Sequence, residues 1–362
     1  MVTRARDLGL PLTGRPGRFN AITDVSGIAV GMRTIVEDKP RPGRSRPVRT
    51  GATAIIPHAG NGGPVPGFAG FHRFNGNGEM TGTHWIADGG WFCGPVVITN
   101  THAVGRAHHA AISWMIRSYG DHFEPGRHVW AMPVIAETYD GVLNDINAQP
   151  LTEEDMLAAL DSASEGPVTE GNCGGGTGMI AYGFKGGTGT ASRRITIAGE
   201  EHMVGALVQA NHGIREWLTI CGIPVGRELP GGEGLATRGE NGSIIVVIAT
   251  DAPLGPHQLS RVARRGTIGI GRNGTVGGNN SGDIFLAFST ANAGPMPIDA
   301  PARMQIIQLN DEYLDEIYEA VAQCVEEAVL NAMVAAKPMG GTPFDETLVE
   351  AIDHDYLRRR FA

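Results

Sequence analysis

From Ser243 to Ala249 the chain reads Ser-Ile-Ile-Val-Val-Ile-Ala, an unbroken apolar run of strand length that follows directly on a polar, glycine-rich stretch. Such a run has to be a strand buried in a core, and the Gly242-Ser243 step therefore joins an exposed loop to a fixed element. A chain that cuts itself and uses the new N-terminal serine as a nucleophile needs that arrangement. The hydroxyl attacks the preceding carbonyl, water then hydrolyses the ester, and a glycine before the serine leaves no Cβ to block the strained conformation. The freed α-amino group, with a reference pKa of about 8, is then available as a base near neutral pH. The same residues also read as an ordinary turn, since Asn241-Gly242 is a common hairpin dipeptide and serine is unexceptional at a strand edge.

Short apolar pieces elsewhere predict strands over 52–57, 94–100, 129–136, 178–182 and 203–210. Helical spacing places Val104, Ala107, Ala111, Trp114 and Met115 on one face of a helix over 102–118. Thr152 followed by Glu153, Glu154 and Asp155 caps a helix that carries Met156, Leu157 and Leu160. The strongest helical pattern runs over 311–336 through Leu314, Ile317, Val321, Val325, Ala328 and Val329, with Gly340-Gly341 closing it. Residues 222–242 hold seven glycines and two prolines, the composition of an exposed, mobile connection. Glycine supplies 53 of the 362 positions without any repeat, which fits tight turns in a compact protein rather than collagen or low complexity. Strands interleaved with helices give a layered α/β fold, and 1–362 reads as one domain in which the 222–242 connection is a cleavable loop and not a boundary.

Several classes are disfavoured. A net charge of −9 gives no electrostatic case for nucleic acid or an anionic membrane. Cys93, Cys173, Cys221 and Cys324 form no CxxC pair, so they read as buried reduced thiols and not as a disulfide framework or zinc site. No stretch approaches 18 apolar residues and no signal-peptide core follows the N-terminus, so a cytoplasmic location is expected. The basic Arg358-Arg359-Arg360 reads as a solvated tail.

Four loop segments can carry chemistry. Gly277 to Ser289 places Ser281 and Asp283 just before an apolar strand, where residues two apart face one side and a carboxylate can orient a hydroxyl. Gln209-Ala-Asn-His-Gly213 offers Asn211 as an oxyanion donor, with His212 a weaker candidate base. Ala136-Glu-Thr-Tyr-Asp-Gly141 offers Glu137 to a substrate ammonium and the Tyr139 hydroxyl to an oxyanion. Gly171 to Gly178 resembles a phosphate loop in composition but lacks its lysine and spacing, and reads as close backbone packing near a site. Taken singly, the first three also read as a turn or cap, an Asx turn and a solvated acidic loop.

Long segments in a fixed order resemble the DmpA-type L-aminopeptidase/D-esterase-amidases, relatives of the β-peptidyl aminopeptidases. They are Phe74 to His84, Glu137 to Asn147, Glu170 to Met179, Ala206 to Gly213, Gly242 to Val247, and Gly271-Arg-Asn-Gly through Thr290-Ala-Asn292. The resemblance implies a four-layer αββα sandwich, similar to the N-terminal nucleophile hydrolases but differently connected, and self-cleavage into 1–242 and 243–362. It makes Ser243 the nucleophile, Ser281 and Asp283 its partners, Asn211 and Tyr139 oxyanion donors, Glu137 the amine anchor and Trp130 a pocket wall. Some relatives carry glutamate in place of Asp283. Small peptides, amides or esters are the implied substrates, without metal or cofactor, in a homo-oligomer of processed heterodimers. An ornithine acetyltransferase-like acyltransferase, which typically has threonine at the cleavage point, and an unprocessed small-molecule binding protein are the rival expectations.

Overall fold

A computed structural model describes residues 2–39, 44, 46–124, 126–127, 129–230, 240, 242–343 and 345–362. Two sheets face each other. The first has the order β1-β2-β5-β6, from β1 (Ala29–Glu37), β2 (Val48–Ile56), β5 (Val96–Asn100) and β6 (Val134–Thr138). The second has the order β4-β3-β14-β13-β10-β9, from β3 (Pro66–Arg73), β4 (Trp91–Cys93), β9 (Gly187–Ile197), β10 (Glu200–Asn211), β13 (Ser243–Thr250) and β14 (Ile284–Ser289). Three ribbons lie outside them: β7 (Ile180–Ala181) with β8 (Phe184–Lys185), β11 (Thr219–Ile220) with β12 (Ile223–Pro224), and β15 (Met339–Thr342) with β16 (Asp345–Val349).

Helices complete the sandwich. After the short α1 (Thr83–Gly89), α2 (Val104–Ser118) and α3 (Glu153–Asp161) cover the first sheet, while α4 (Pro256–Arg272) and α5 (Asp315–Val334) cover the second; α6 (His354–Phe361) ends the chain. The layers follow from side-chain alternation. In β13, Ile244, Val246 and Ile248 point to the helix side, and Ile245, Val247 and Ala249 point between the sheets, where they meet Ile55, Ile98, Val134 and Leu207. This is the αββα arrangement, and it explains why the run has no polar face.

Local expectations hold where the pattern is strong. Thr152 caps α3 in a reciprocal box with Asp155, and Ala107, Ala111 and Met115 are the buried face of α2. The strand expected over 129–136 starts only at Val134, and that over 178–182 shrinks to two residues behind a 3-10 turn at Gly174–Gly178. Helix α5 ends at Val334, and Ala335 after it is still right-handed; Gly340 and Gly341 instead take φ of 98° and 66° inside the β15–β16 ribbon. Cys93 and Cys324 are buried, but Cys173 and Cys221 are only half-buried, and all four are free thiols. The Arg358–Arg360 tail is the exposed side of α6. The 222–242 connection is not uniformly exposed, because Val225, Leu229 and Glu240 are buried; 231–239 and Asn241 lie outside the described residues. Helix α4 escapes a reading of apolar spacing because Gly266 and Gly269 look like breakers. A Cβ there would stand 2.4 Å from the Phe285 ring and 2.5 Å from Val325, so the glycines let the helix settle onto β14 and α5.

Candidate active site

The chemistry-bearing segments meet at one end of the sandwich. Strand β10 runs antiparallel to β13 and ends where β13 begins, which puts Asn211 directly opposite Ser243. Strand β14 runs parallel to β13, so the loop before it, carrying Ser281 and Asp283, arrives at the same end. The C-terminal ends of β5 and β6 reach this end from the facing sheet, tied across by Gln209, whose Nε2 donates to the Thr138 hydroxyl at 2.8 Å and the Thr99 carbonyl at 2.9 Å.

Ser243 shares a face with Ile245 and Val247, so its hydroxyl points between the sheets. It is 8% exposed in the uncut chain, and its Oγ accepts the Gly282 N–H at 3.0 Å. That contact holds the hydroxyl against the Ser281–Gly282 peptide, one residue before Asp283. The Ser281 hydroxyl donates to Asp283 Oδ1 at 2.6 Å, and the same oxygen accepts the Ile244 N–H at 3.2 Å. Burial raises the Asp283 carboxyl to about 6 against the pull of its Ser281 bond, and Glu240 raises it further. The Ser243 hydroxyl, the Gly282 N–H, the Ser281 hydroxyl and the Asp283 carboxyl thus stand in one run of short contacts that includes no histidine among the described residues.

Gly242 is packed as tightly as its position demands. A Cβ there would lie 1.8 Å from the Asn211 carbonyl oxygen, far inside van der Waals contact. Gly242→Ala is therefore expected to displace the Gly242 carbonyl, the one attacked in the self-cleavage proposed below, and to slow that cleavage by about 100-fold, the scale of a 1 Å misplacement, as read by the disappearance of full-length chain on denaturing gels.

Asn211 is fixed at both ends of its amide. Its Oδ1 accepts the Ile180 N–H at 2.8 Å and its Nδ2 donates to the Tyr139 carbonyl at 3.0 Å, leaving a second amide proton on the residue opposite Ser243. Tyr139 is thus tied to Asn211 through its backbone carbonyl. Its ring lies over Gly141, where an added Cβ would come within 2.2 Å of the hydroxyl, and that hydroxyl makes no hydrogen bond among the described residues. Glu137 is buried, accepting the Glu79 N–H at 2.9 Å and the Thr101 hydroxyl. Burial pushes its carboxyl up. It borders the nucleophile's loop, since a Cβ on Gly78 would sit 3.1 Å from Glu137 Oε1 and 3.6 Å from Gly282 Cα. Trp130 is 60% exposed on the segment leading into β6. His212 is set apart: its ring packs edge-on against Tyr182, and burial drives it down to about 3, which leaves it a poor base.

A family model, Peptidase family S58, matches residues 20–345. The chain belongs to this family. The S58 chain is 46% identical, over 98% of its length and 91% of the relative's, to β-peptidyl aminopeptidase BapA of Sphingosinicella microcystinivorans. The structure superposes with a TM-score of 0.94 on the L-aminopeptidase D-Ala-esterase/amidase of Ochrobactrum anthropi, a prototype serine aminopeptidase and variant of the Ntn hydrolase fold, at 60% identity with 99% and 98% of the two chains covered. A Burkholderia β-aminopeptidase matches with a TM-score of 0.88 and 42% identity over 98% of this chain and 97% of that one. The four-layer fold of this S58 peptidase is thus an Ntn hydrolase-like variant.

Some residues of the site had no distinct signal in the sequence. Glu240 is buried and spends both oxygens on backbone, accepting from Gly213 N–H and, at 2.7 Å, from Gly278 N–H. It thereby pins the end of the connection to the two loops that bear Asn211 and Ser281. Asn75 donates to the Gly278 carbonyl at 3.1 Å and more distantly to Asp283. Asn75 lies in one of the segments that carry the family likeness, while Glu240 is one charge among several in a polar loop.

Proposed function

We propose that this S58 peptidase is a serine aminopeptidase made as a precursor, which cuts its own Gly242–Ser243 bond and then releases small N-terminal residues from peptides, amides and esters. The observation that carries this reading is the Ser243 hydroxyl lodged on Gly282 N–H, beside the Ser281–Asp283 pair and opposite the Asn211 amide. Attack by Ser243 builds a tetrahedral intermediate whose oxyanion takes the second Asn211 amide proton, with the Tyr139 loop closing that side. The Ser281–Asp283 pair and, after cleavage, the Ser243 α-amine accept and return the proton. Water then hydrolyses the acyl-enzyme. No step calls for a metal or cofactor.

Glu137 explains an exopeptidase habit. A buried carboxylate costs free energy unless a cation meets it, and a substrate α-ammonium supplies one while leaving no room for residues upstream. Glu137→Gln is expected to lower kcat/KM for aminoacyl amides about 100-fold, the value of a charge-assisted hydrogen bond in a desolvated site, in steady-state kinetics.

The two pieces would stay together. Strands β13 and β14 of the second piece lie between β3 and β10 of the first, and Glu327 of the second piece bonds Arg193 at 2.7 Å and Arg6 at 2.8 Å from the first. Assembly of processed pairs into a homo-oligomer rests on the family likeness. Among the described residues no helix is long and apolar enough to cross a membrane, and the four free thiols fit a reducing, cytoplasmic setting.

The experiment that separates hydrolysis from acyl transfer is product analysis of an aminoacyl ester with and without an added amine. The hydrolase reading expects free amino acid at equal rates in both. Faster release into an amide product would instead establish an acyltransferase.

A further inference from the structure

Lys185 is fully buried, and among the described residues no carboxylate lies within ion-pair distance of it, Asp140 and Cys173 acting on it only at longer range. Its Nζ donates instead to three backbone carbonyls: Met179 at 2.7 Å, Gly186 at 2.9 Å and Gly176 at 3.3 Å. An ammonium is an expensive way to tie a loop, because burying an unpaired charge costs far more than burying a neutral donor. Where the charge is aimed is therefore informative.

The shortest contact reaches the Met179 carbonyl. That oxygen and the Ile180 N–H belong to one peptide group, and the Ile180 N–H is the donor that holds Asn211 Oδ1 at 2.8 Å. The chain of contacts runs from ammonium to peptide to side-chain amide, and it ends on the residue opposite Ser243. A positive charge on a carbonyl oxygen draws electron density from the amide nitrogen and makes its N–H a stronger donor; the next amide in the chain responds in the same way. The Ile180 N–H also decides which way the Asn211 amide is turned, with Nδ2 on the Tyr139 carbonyl, since a flipped amide would set N–H against N–H.

We propose that Lys185 is a positioning residue for acyl transfer: its ammonium fixes and polarises the Met179–Ile180 peptide, which holds Asn211 by its Oδ1, keeps Nδ2 as the donating end and strengthens it as an oxyanion donor. The inference rests on the reading of Asn211 as that donor. Burial lowers the Lys185 ammonium to about 7, so the charged form is present at and below neutral pH.

The test is a double-mutant cycle of Lys185→Met, which keeps length and removes charge, with Asn211→Ala. Each protein is incubated until cleavage is complete, checked by thermal melting, and assayed at pH 7 on an aminoacyl amide. Lys185→Met alone is expected to lower kcat about 10- to 100-fold with KM within about threefold, the pattern of an interaction made in the transition state. In the Asn211→Ala background it should cost less than about threefold more, because the residue it acts through is gone. Losses that multiply across the two backgrounds, or wild-type kcat in Lys185→Met, overturn the inference while leaving the Asn211 reading intact. Wild-type kcat in Asn211→Ala alone overturns that reading and the inference with it. If Lys185→Met does not fold, Lys185→Gln, a neutral donor to the Met179 carbonyl, carries the same cycle with the same outcomes.

Discussion

Ser243→Ala is expected to yield a single uncut chain of 38.2 kDa that turns over no aminoacyl amide. The substitution removes the nucleophile from two reactions at once, cleavage of the Gly242–Ser243 bond and attack on substrate. No neighbouring hydroxyl substitutes for it, because Ser281 donates its proton to Asp283 at 2.6 Å and lies on the neighbouring loop. The expected loss in kcat is about 10⁶-fold, the scale on which hydrolases lose activity when the attacking oxygen is deleted. The fold should survive, since among the described residues the Ser243 side chain makes one hydrogen bond, from Gly282 N–H, worth about 1 kcal/mol. Intact mass after days of incubation and a sensitive chromogenic assay check the two halves. Residual cleavage at the same bond would show that the protein does not cut itself through this hydroxyl.

Asp283→Asn is expected to abolish cleavage and turnover yet make the chain more stable. Burial raises the Asp283 carboxyl to about 6, above the ordinary aspartate value of 3.8. Between these values the folded chain binds the proton more tightly than the unfolded chain, so stability falls as pH rises from 4 to 6 and stays low above that. The difference corresponds to about 2–3 kcal/mol of strain carried at neutral pH. Asparagine keeps an acceptor for the Ser281 hydroxyl and Ile244 N–H without the charge. Compared in a Ser243→Ala background, so that both chains are uncut, Asp283→Asn should gain about 2 kcal/mol in urea melts at pH 7.5 and lose most of that gain by pH 4. A constant difference across pH would mean that the carboxylate is not strained. The same value sets an acid limb near pH 6 in the wild-type kcat/KM profile, because the ionised form is the one that accepts from Ser281.

The strand that opens at Ser243 was legible because an uninterrupted aliphatic run has only one comfortable environment. Helices α3 and α5 were legible for related reasons, through a capping box and long apolar spacing. Strands β1, β3 and β9 were not, since Gly187-Thr-Gly-Thr-Ala-Ser and Pro66-Gly-Phe-Ala-Gly-Phe are buried by virtue of small size rather than hydrophobicity. In the site, period-two spacing offered Ser281 and Asp283 as a pair beside a plain turn reading, and only the family resemblance gave them a role. The link from Asn211 to Ser243 did not follow from spacing, because only the β10–β13 register brings residues so far apart in sequence face to face. The contact of Asn211 with the Tyr139 carbonyl and the contacts of Glu240 to two loops join segments that sequence spacing does not relate.

The central claim is that one peptide bond is cut and that the serine behind it does the chemistry. Denaturing intact-mass analysis of the purified wild-type protein, with the N-terminus of each species sequenced, tests it most directly. Two chains of about 25 and 13 kDa, the smaller beginning Ser-Ile-Ile-Val and the two eluting as one particle without denaturant, are the predicted result. A single full-length chain in an active preparation would contradict it.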